Sequence, residues 1–182
     1  MASTPETLYR QLKEELGEQR TLPVDDWQPV VNGRIAIRID GDGRWFHERE
    51  QIRRPELVRL FSRILRRDED GYVLVTPAER LLIEVDDVPF QAVDFEAMTD
   101  ATGAATDLIF TTNVGDLVRV DRDHPLWMSN TPAHRPYVRV RQGLDARITR
   151  AAYYRLLDVA TVKDDRVMVG SGGMQFLLGS AV

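Results

Sequence analysis

Short segments in which apolar and polar residues alternate recur along the chain, and this period of two predicts β-strands. From Val30 to Asp40, isoleucines alternate with two arginines and an alanine. The run Asp40–Gly43 that follows predicts a hairpin turn, because Asp-Gly pairs tolerate the positive φ angles of tight turns. Further strands are expected at Arg44–His47, Tyr72–Val75, Arg80–Val85, Leu108–Thr112, Leu117–Val120 and Tyr137–Arg141, with a last hairpin turning at Gly170–Gly173.

Three segments instead have apolar residues at helical spacing. Pro55–Arg67 carries them at i, i+3, i+4, i+7 and i+8, with three arginines on the opposite, solvated face. These arginines are Arg59, Arg63 and Arg66. Leu144–Ala160 is also predicted to be helical. A shorter N-terminal helix is expected to start at Thr4, with threonine as its cap and proline in its first turn, and to end at Gly17.

The two halves of the chain carry similar sets of apolar positions, which predicts an internal duplication. The paired positions are Trp45 and Tyr137 (137 − 45 = 92), Phe61 and Tyr153 (153 − 61 = 92), and Val73 and Val167 (167 − 73 = 94). We therefore expect Arg44–Val85 and Tyr137–Leu178 to share one strand–helix–hairpin arrangement.

Many short strands with two principal helices predict an α+β fold, since strands seldom alternate with crossover helices as in a parallel doubly wound sheet. Met98–Thr106 is rich in Ala, Thr and Gly and is the best linker candidate. The predicted organisation is an N-terminal helix and lead-in at residues 1–22, a first repeat domain at 23–97 and a second at 98–182.

Composition narrows the function classes. The 182 residues carry a formal net charge of −5, which argues against general nucleic-acid binding. The absence of cysteine removes disulfides and thiolate chemistry. With no targeting signal and no apolar stretch long enough to cross a membrane, we expect a soluble cytoplasmic protein. Only two of the 24 basic residues are lysines, so 24 − 2 = 22 arginines could offer forks for phosphate or carboxylate groups.

Motifs for metals and cofactors are incomplete. Asp40 and Asp42 resemble the first two ligands of a calcium loop. The residues at its later ligand positions, however, are not calcium ligands. His47-Glu48 opens like a zinc-protease motif, yet Gln51 stands where the second histidine should be. The group Asp121–His124 is expected to be a solvated loop. We therefore expect no metal and no cofactor.

One strand carries a more promising set of residues. A period of two places Tyr137, Arg139 and Arg141 on one face and turns the two intervening valines toward the core. A tyrosine beside two guanidinium forks can grip an anion and stack on a ring. A surface ladder of salt bridges is the alternative interpretation.

Several separated blocks resemble a bacterial family, domain of unknown function 1285. They are Asp42–His47, Ile52–Arg54, Leu57–Phe61, Leu74–Glu79, Val85–Phe90, Thr112–Asn113 and Pro136–Arg147. The resemblance implies a duplicated α+β fold whose C-terminal half is similar to pleckstrin-homology domains. It also implies a ligand site where the halves meet, for a nucleotide-like molecule in signalling.

Seven residues could then converge on one crevice and bind a small anionic, nucleotide-like ligand. They are His47, Arg54, Asp87, Asn113, Tyr137, Arg139 and Arg141. The first functional hypothesis is accordingly a cytoplasmic sensor or adaptor. The alternatives are a hydrolase-type enzyme that uses His47 with Asp86 or Asp87 as an acid–base pair, and a protein-interaction module. Membrane-lipid binding is not expected, because no cluster of basic residues marks such a surface.

Overall fold

The computed structural model describes residues 4–16 and 22–180, and it shows a mostly β protein with few helices. The chain divides into two compact units, Met1–Pro89 and Phe90–Val182. Within the described residues, no helix combines the length and the apolar character needed to span a membrane.

The first unit is built around a six-stranded sheet. Its elements are α1 (Pro5–Leu16), β1 (Val31–Ile39), β2 (Trp45–His47), β3 (Glu50–Gln51), α2 (Pro55–Arg63), β4 (Leu65–Asp68), β5 (Gly71–Val75) and β6 (Glu79–Val85). The sheet order is β3-β2-β1-β6-β5-β4, and only the β1–β6 pair among these strands is parallel. On β1, Ile35, Ile37 and Ile39 are buried and the residues between them are exposed, which confirms the predicted alternation.

The core of this unit lies between the sheet and α2. Phe61 is fully buried, as its central place in the apolar stripe predicted, and its ring centroid lies 6.2 Å from that of Trp45. Leu8 and Leu12 of α1 are also buried. The predicted end of this N-terminal helix at Gly17 lies outside the described residues.

Helix α2 is shorter than its sequence pattern predicted. It ends at Arg63, and Leu65–Asp68 pairs with β5 as a strand. Arg66 therefore does not lie on a solvated helix face. Its guanidinium donates to both carboxylate oxygens of Asp68 and to the carbonyl oxygens of Val24 and Trp27, at 2.7 to 3.0 Å. This part-buried network anchors the lead-in segment to the sheet.

The second unit contains a six-stranded sheet, a separate three-stranded sheet and one helix. Its elements are β7 (Phe90–Thr99), β8 (Ala105–Thr112), β9 (Leu117–Arg119), β10 (Leu126–Met128), β11 (Pro136–Arg141), β12 (Leu144–Ile148), α3 (Arg150–Asp158), β13 (Thr161–Lys163), β14 (Arg166–Ser171) and β15 (Met174–Ser180). The sheet orders are β10-β11-β12-β7-β8-β9, with β12 and β7 parallel, and β13-β14-β15. Phe95 and Phe110 contact each other in the core.

Three predicted segments of this unit differ from the structure. The linker candidate Met98–Thr106 is the end of the β7–β8 hairpin, where Asp100 accepts hydrogen bonds that close the turn, so the units divide at Pro89 rather than near residue 97. The helix predicted from Leu144 begins only at Arg150, because Leu144–Ile148 pairs as a strand and Thr149 caps the helix. No strand was expected between Val120 and Tyr137, but this segment contains β10.

The same order of elements occurs twice: two strands, a helix and three strands. The helices start at Pro55 and Arg150 (150 − 55 = 95), and the last strands start at Glu79 and Met174 (174 − 79 = 95). This order is consistent with an internal duplication, but its offset differs from the predicted 92.

The offset of 95 residues corrects the predicted residue pairing. Phe61 corresponds to Leu156, which is also fully buried, and not to Tyr153. Tyr153 is half-buried, and its hydroxyl donates to the carbonyl oxygen of Leu178 at 3.3 Å.

Candidate functional site

A cavity of about 570 Å³ lies in the first unit where β2, β3 and the start of α2 meet. The β2–β3 turn forms one wall, and Glu48 adopts a positive φ of 57° there while its N–H donates to the carbonyl oxygen of Ala36. The residues that line the cavity are Pro5, Glu6, His47–Arg54 and Leu57. Two of the predicted site residues, His47 and Arg54, therefore share one cavity.

Arg53 and Arg54 stand directly before the first turn of α2. Arg54 is the N-cap residue in an extended conformation, and its side chain does not cap the helix. In the described part of the chain, neither arginine forms an ion pair with a carboxylate. Two guanidinium groups thus present positive charge at the same edge of the cavity.

Many arginines elsewhere are neutralised by aspartates. The pairs are Arg38–Asp86, Arg44–Asp40, Arg66–Asp68, Arg80–Asp68, Arg119–Asp107, Arg139–Asp145 and Arg155–Asp94. Arg53 and Arg54 differ from this group, because they keep their charge available at a cavity. Three glutamates also line the cavity, namely Glu6, Glu48 and Glu50, so its lining is not positive throughout.

The geometry does not support an acid–base pair between His47 and Asp86. His47 lies opposite Ile37 across the β1–β2 pair, so these two side chains share a face of the sheet. Asp86 accepts two hydrogen bonds from Arg38, which projects from the other face of β1. Asp87 is half-buried at the end of the first unit and is not one of the cavity's lining residues.

Asn113 serves as an anchor for the turn between β8 and β9. Its side-chain oxygen accepts the N–H of Gln91 at 3.0 Å, and its own N–H donates to the carbonyl oxygen of Gln91 at 2.9 Å. The side chain of Gln91 is buried. The predicted site residue thus holds a loop against β7.

Tyr137 is not exposed on the face of β11 that was predicted to carry it with the two arginines. It is buried, and its ring stacks on that of Trp127, with the centroids 4.5 Å apart and the planes at 15°. Trp127 lies opposite Tyr137 on the neighbouring strand β10 and covers its ring, while Val138 and Val140 are buried as predicted.

Arg139 and Arg141 are both half-buried. Arg139 forms an ion pair with Asp145 of the neighbouring strand, and the guanidinium of Arg141 lies 5.6 Å from the ring centroid of Phe90. All of these partners belong to the second unit. The convergence of His47, Arg54 and Asp87 with the residues of the second unit stays a prediction.

The loop between β1 and β2 holds no calcium-type ligand set. Burial raises the pKa of Asp40, but hydrogen bonds from the N–H groups of Arg44 and Asp42 and from the Arg44 guanidinium outweigh it, and the pKa of Asp40 is lowered. Its oxygens are thus used to close the hairpin. Across residues 4–16 and 22–180, no group of three or more His, Asp or Glu side chains is placed to hold a metal ion.

Three contributors to the cavity region were not predicted from the sequence. Arg49 and Arg53 line the cavity beside the predicted residues, and Tyr9 of α1 contacts Arg54, whose guanidinium lies 5.4 Å from its ring centroid. Two adjacent arginines directly before a proline-started helix were the available signal for Arg53. No local pattern could have brought Tyr9 to Arg54.

The chain is a mostly β protein of two units, and the same order of strands and helix occurs in both. Residues 22–88 match the family described as Domain of unknown function (DUF1285), N-terminal domain, and residues 89–178 match Protein of unknown function (DUF1285), C-terminal domain. The chain belongs to the DUF1285 family. The family boundary at residue 88 falls beside the boundary between the two units.

Two crystal structures resemble the chain. One is a DUF1285 family protein from Silicibacter pomeroyi DSS-3, with 40% identity and a TM-score of 0.88, covering 99% of this chain and 97% of that one. The other is a DUF1285 family protein from Shewanella baltica OS155, with 26% identity and a TM-score of 0.53, covering 69% of this chain and 97% of that one. No curated protein matches the chain.

Proposed function

We propose that this protein binds a small, nucleotide-like anion in the cavity of its first unit and acts as a cytoplasmic sensor or adaptor. The observation that carries the proposal is the pair Arg53 and Arg54, which lack carboxylate partners among the described residues and border a cavity of about 570 Å³. Ligand cavities commonly measure about 300–1,000 Å³, so a nucleotide-sized molecule is of suitable size.

The chemistry of the lining favours an anion with a hydrogen-bonding body. Guanidinium groups bind phosphate or carboxylate oxygens in a bidentate manner. His47 also lines the cavity and can donate or accept a hydrogen bond there. Glu48 and Glu50 can accept hydrogen bonds from amino or hydroxyl groups of the same ligand.

A thermal-shift screen with nucleotides, cyclic dinucleotides and phosphorylated metabolites tests this proposal. Ligands that bind the folded state raise the unfolding temperature through the linkage term RT ln(1 + [L]/Kd). We expect at least one phosphorylated compound to raise the Tm of the wild-type protein. The same compound should give no shift with Arg54→Gln.

A matched control is available in the second unit. Arg122 is exposed in the loop after β9 and is not one of the cavity's lining residues. Arg122→Gln should keep the full shift, because it removes one positive charge without touching the cavity. Equal shifts in both variants, or no shift with any phosphorylated compound, would overturn the proposal.

The second candidate function is a protein-interaction module in the second unit. Its three-stranded sheet has an outer strand, β13, that is exposed throughout, and Val162 and Leu177 of this sheet are 65% and 49% exposed. An exposed strand edge can pair with an extended segment of a partner. The predicted likeness of this unit to pleckstrin-homology domains would fit such a role.

Substitution within the exposed strand tests the second candidate. Val162→Lys should abolish any complex recovered with the wild-type protein while leaving the unfolding midpoint unchanged. Retention of that complex by Val162→Lys would exclude β13 as the contact.

A further inference from the structure

A second cavity, of about 280 Å³, lies between α1 and the start of α2. Its lining residues are Glu6, Tyr9, Arg10, Lys13, Glu14, Arg54 and Leu57. Glu6, Arg54 and Leu57 line the larger cavity as well. The two cavities therefore share a wall, and Arg54 stands at their junction.

The walls of the smaller cavity differ in chemistry from those of the larger one. The half-buried ring of Tyr9 and the buried side chain of Leu57 are the apolar part of its lining, which also includes the exposed carboxylates of Glu6 and Glu14. The long side chains of Arg10 and Lys13 can add their methylene stems while their charged ends remain in water. An apolar group fits this space better than a second polar group does.

Arg54 links the two environments. Its guanidinium lies over the ring of Tyr9, at 5.4 Å from the centroid, which is within the range of a cation–π contact. A guanidinium that stacks on an aromatic ring can still donate its N–H groups to an anion. The anion that Arg54 binds would thus sit beside the entrance to the apolar space.

We infer that the ligand is amphiphilic: a phosphate-type anion on Arg54, with an attached apolar group seated between α1 and α2. This inference rests on the proposed function and specifies its ligand class. The apolar group is either an aromatic ring, as in a nucleotide base, or an alkyl chain, as in an acyl or alkyl phosphate. The N-terminal helix α1 is then part of the binding site.

Calorimetric titration with three probes tests the inference: inorganic phosphate, adenosine 5′-monophosphate and n-octyl phosphate. We expect one of the two organic phosphates to bind at least about tenfold more tightly than inorganic phosphate, a difference of about 1.4 kcal/mol. Tighter binding of octyl phosphate would identify the apolar group of the ligand as an alkyl chain. A gain for adenosine monophosphate identifies an aromatic one.

Two variants at Tyr9 locate the apolar group. Tyr9→Ala should lower the affinity for the favoured organic phosphate at least about fivefold, a difference of about 1 kcal/mol. The affinity for inorganic phosphate should not fall. Tyr9→Phe keeps the ring and should bind like wild type. Leu8 and Leu12 hold α1 in place, and an unchanged unfolding midpoint checks that the helix remains docked.

The outcomes separate this inference from the proposed function. If no probe binds, or if Arg54→Gln binds every probe like wild type, the proposed function fails. If binding depends on Arg54 but neither organic phosphate gains over inorganic phosphate, only the amphiphilic ligand class is overturned. If an organic phosphate gains but Tyr9→Ala leaves that gain unchanged, its apolar group is not seated against α1 and the inference is likewise overturned.

Discussion

The two units arrange the same order of elements in different sheets. In the first unit, β6 pairs with β1, so the three strands after the helix extend the sheet formed by the strands before it. In the second unit, the three strands after the helix form a sheet of their own, and β12 closes the larger sheet by pairing with β7. The order of elements alone therefore does not determine the long-range pairing.

A hydroxyl group at equivalent positions illustrates the difference. Thr76 and Ser171 lie 171 − 76 = 95 residues apart, and both are buried. The hydroxyl of Thr76 accepts the N–H groups of Ala78 and Glu79 and so closes a local turn. The hydroxyl of Ser171 instead accepts the N–H of Leu108 at 3.0 Å and donates to the carbonyl oxygen of Val120 at 2.6 Å.

The preceding residue shows why β14 can approach β8 so closely. A Cβ atom at Gly170 would lie 2.5 Å from the carbonyl oxygen of Ala105, whereas the equivalent residue of the first unit is the buried Val75 (170 − 75 = 95). The absence of a side chain at Gly170 and the hydroxyl of Ser171 let β14 approach β8 closely. The same local order can thus adopt a different architecture through a few side chains.

The largest expected effect tests whether the two helices are equivalent. Phe61→Ala and Leu156→Ala should each lower the free energy of unfolding, by about 3–5 and 2–5 kcal/mol, because both remove fully buried side chains at the same helix position. Urea denaturation followed by circular dichroism measures both. An effect at Phe61 without one at Leu156 would break the equivalence.

Next in size is the part-buried ion-pair network around Asp68 in the first unit. Asp68→Asn removes the carboxylate shared by Arg66 and Arg80, and should cost about 1.5–3 kcal/mol as charge-assisted hydrogen bonds are lost. Asp107→Asn is the matched control, because its partner Arg119 is 57% exposed, and the loss there should be smaller. Equal losses would remove this distinction between the units.

Asp68 also predicts how the free energy of unfolding depends on pH. Hydrogen bonds from Arg66 lower the pKa of Asp68, burial opposes them, and Arg80 lowers the pKa further. The stabilisation is therefore present above the unfolded-state value of about 4 and is lost as the pH falls through the lower folded-state pKa. Urea unfolding at pH 7 and in steps below pH 4 should show a smaller acid-induced loss of stability in Asp68→Asn than in wild type.

A steric test addresses the separate sheet of the second unit. Gly170→Ala should destabilise by about 1–3 kcal/mol, since the new methyl group would overlap backbone atoms of Ala105. Gly33→Ala is the control, because its methyl group would meet only the end of the Leu81 side chain at 3.2 Å. Amide hydrogen exchange in β13–β15 should be faster in Gly170→Ala than in wild type. Unchanged exchange rates in these strands would show that β14 does not depend on the close contact between Gly170 and Ala105.

The smallest effect concerns the residue first paired with Phe61. Tyr153→Phe removes one hydroxyl, which donates to Leu178, and should cost about 1 kcal/mol or less. Thermal unfolding of the variant checks this value. A loss as large as that of Leu156→Ala would restore Tyr153 as a main core position.

Periodic patterns predicted the elements better than they predicted the pairings. The isoleucine alternation of β1 and the apolar stripe around Phe61 are local, so the sequence alone was sufficient for both. The β1–β6 and β7–β12 parallel pairs were not predicted, because local periodicity carries no information about the partner strand. Strand β12 was misread as helix since its apolar residues also fit the start of the helical pattern that follows it.

The candidate site was predicted only in part for the same reason. His47 and Arg54 were found from residue type and position, and one cavity contains both. Tyr137 was expected on the exposed face of β11, because an alternating pattern implies that one face of a strand is buried and the other is not. In the structure, the ring of Trp127 covers Tyr137 on that second face. Tyr9 lies far from Arg54 in sequence and became a candidate only once α1 was placed.

The parallel pairs also constrain the order in which the units can fold. Val31 pairs with Glu79 (79 − 31 = 48), and Phe90 pairs with Ala146 (146 − 90 = 56), so each unit closes a long loop before its large sheet is complete. Loop closure of this length is entropically costly, and distant pairings slow folding. During synthesis, β1 has no parallel partner until β6 has been made. The hairpins β4–β5 and β5–β6 can form earlier and offer the edge on which β1 docks.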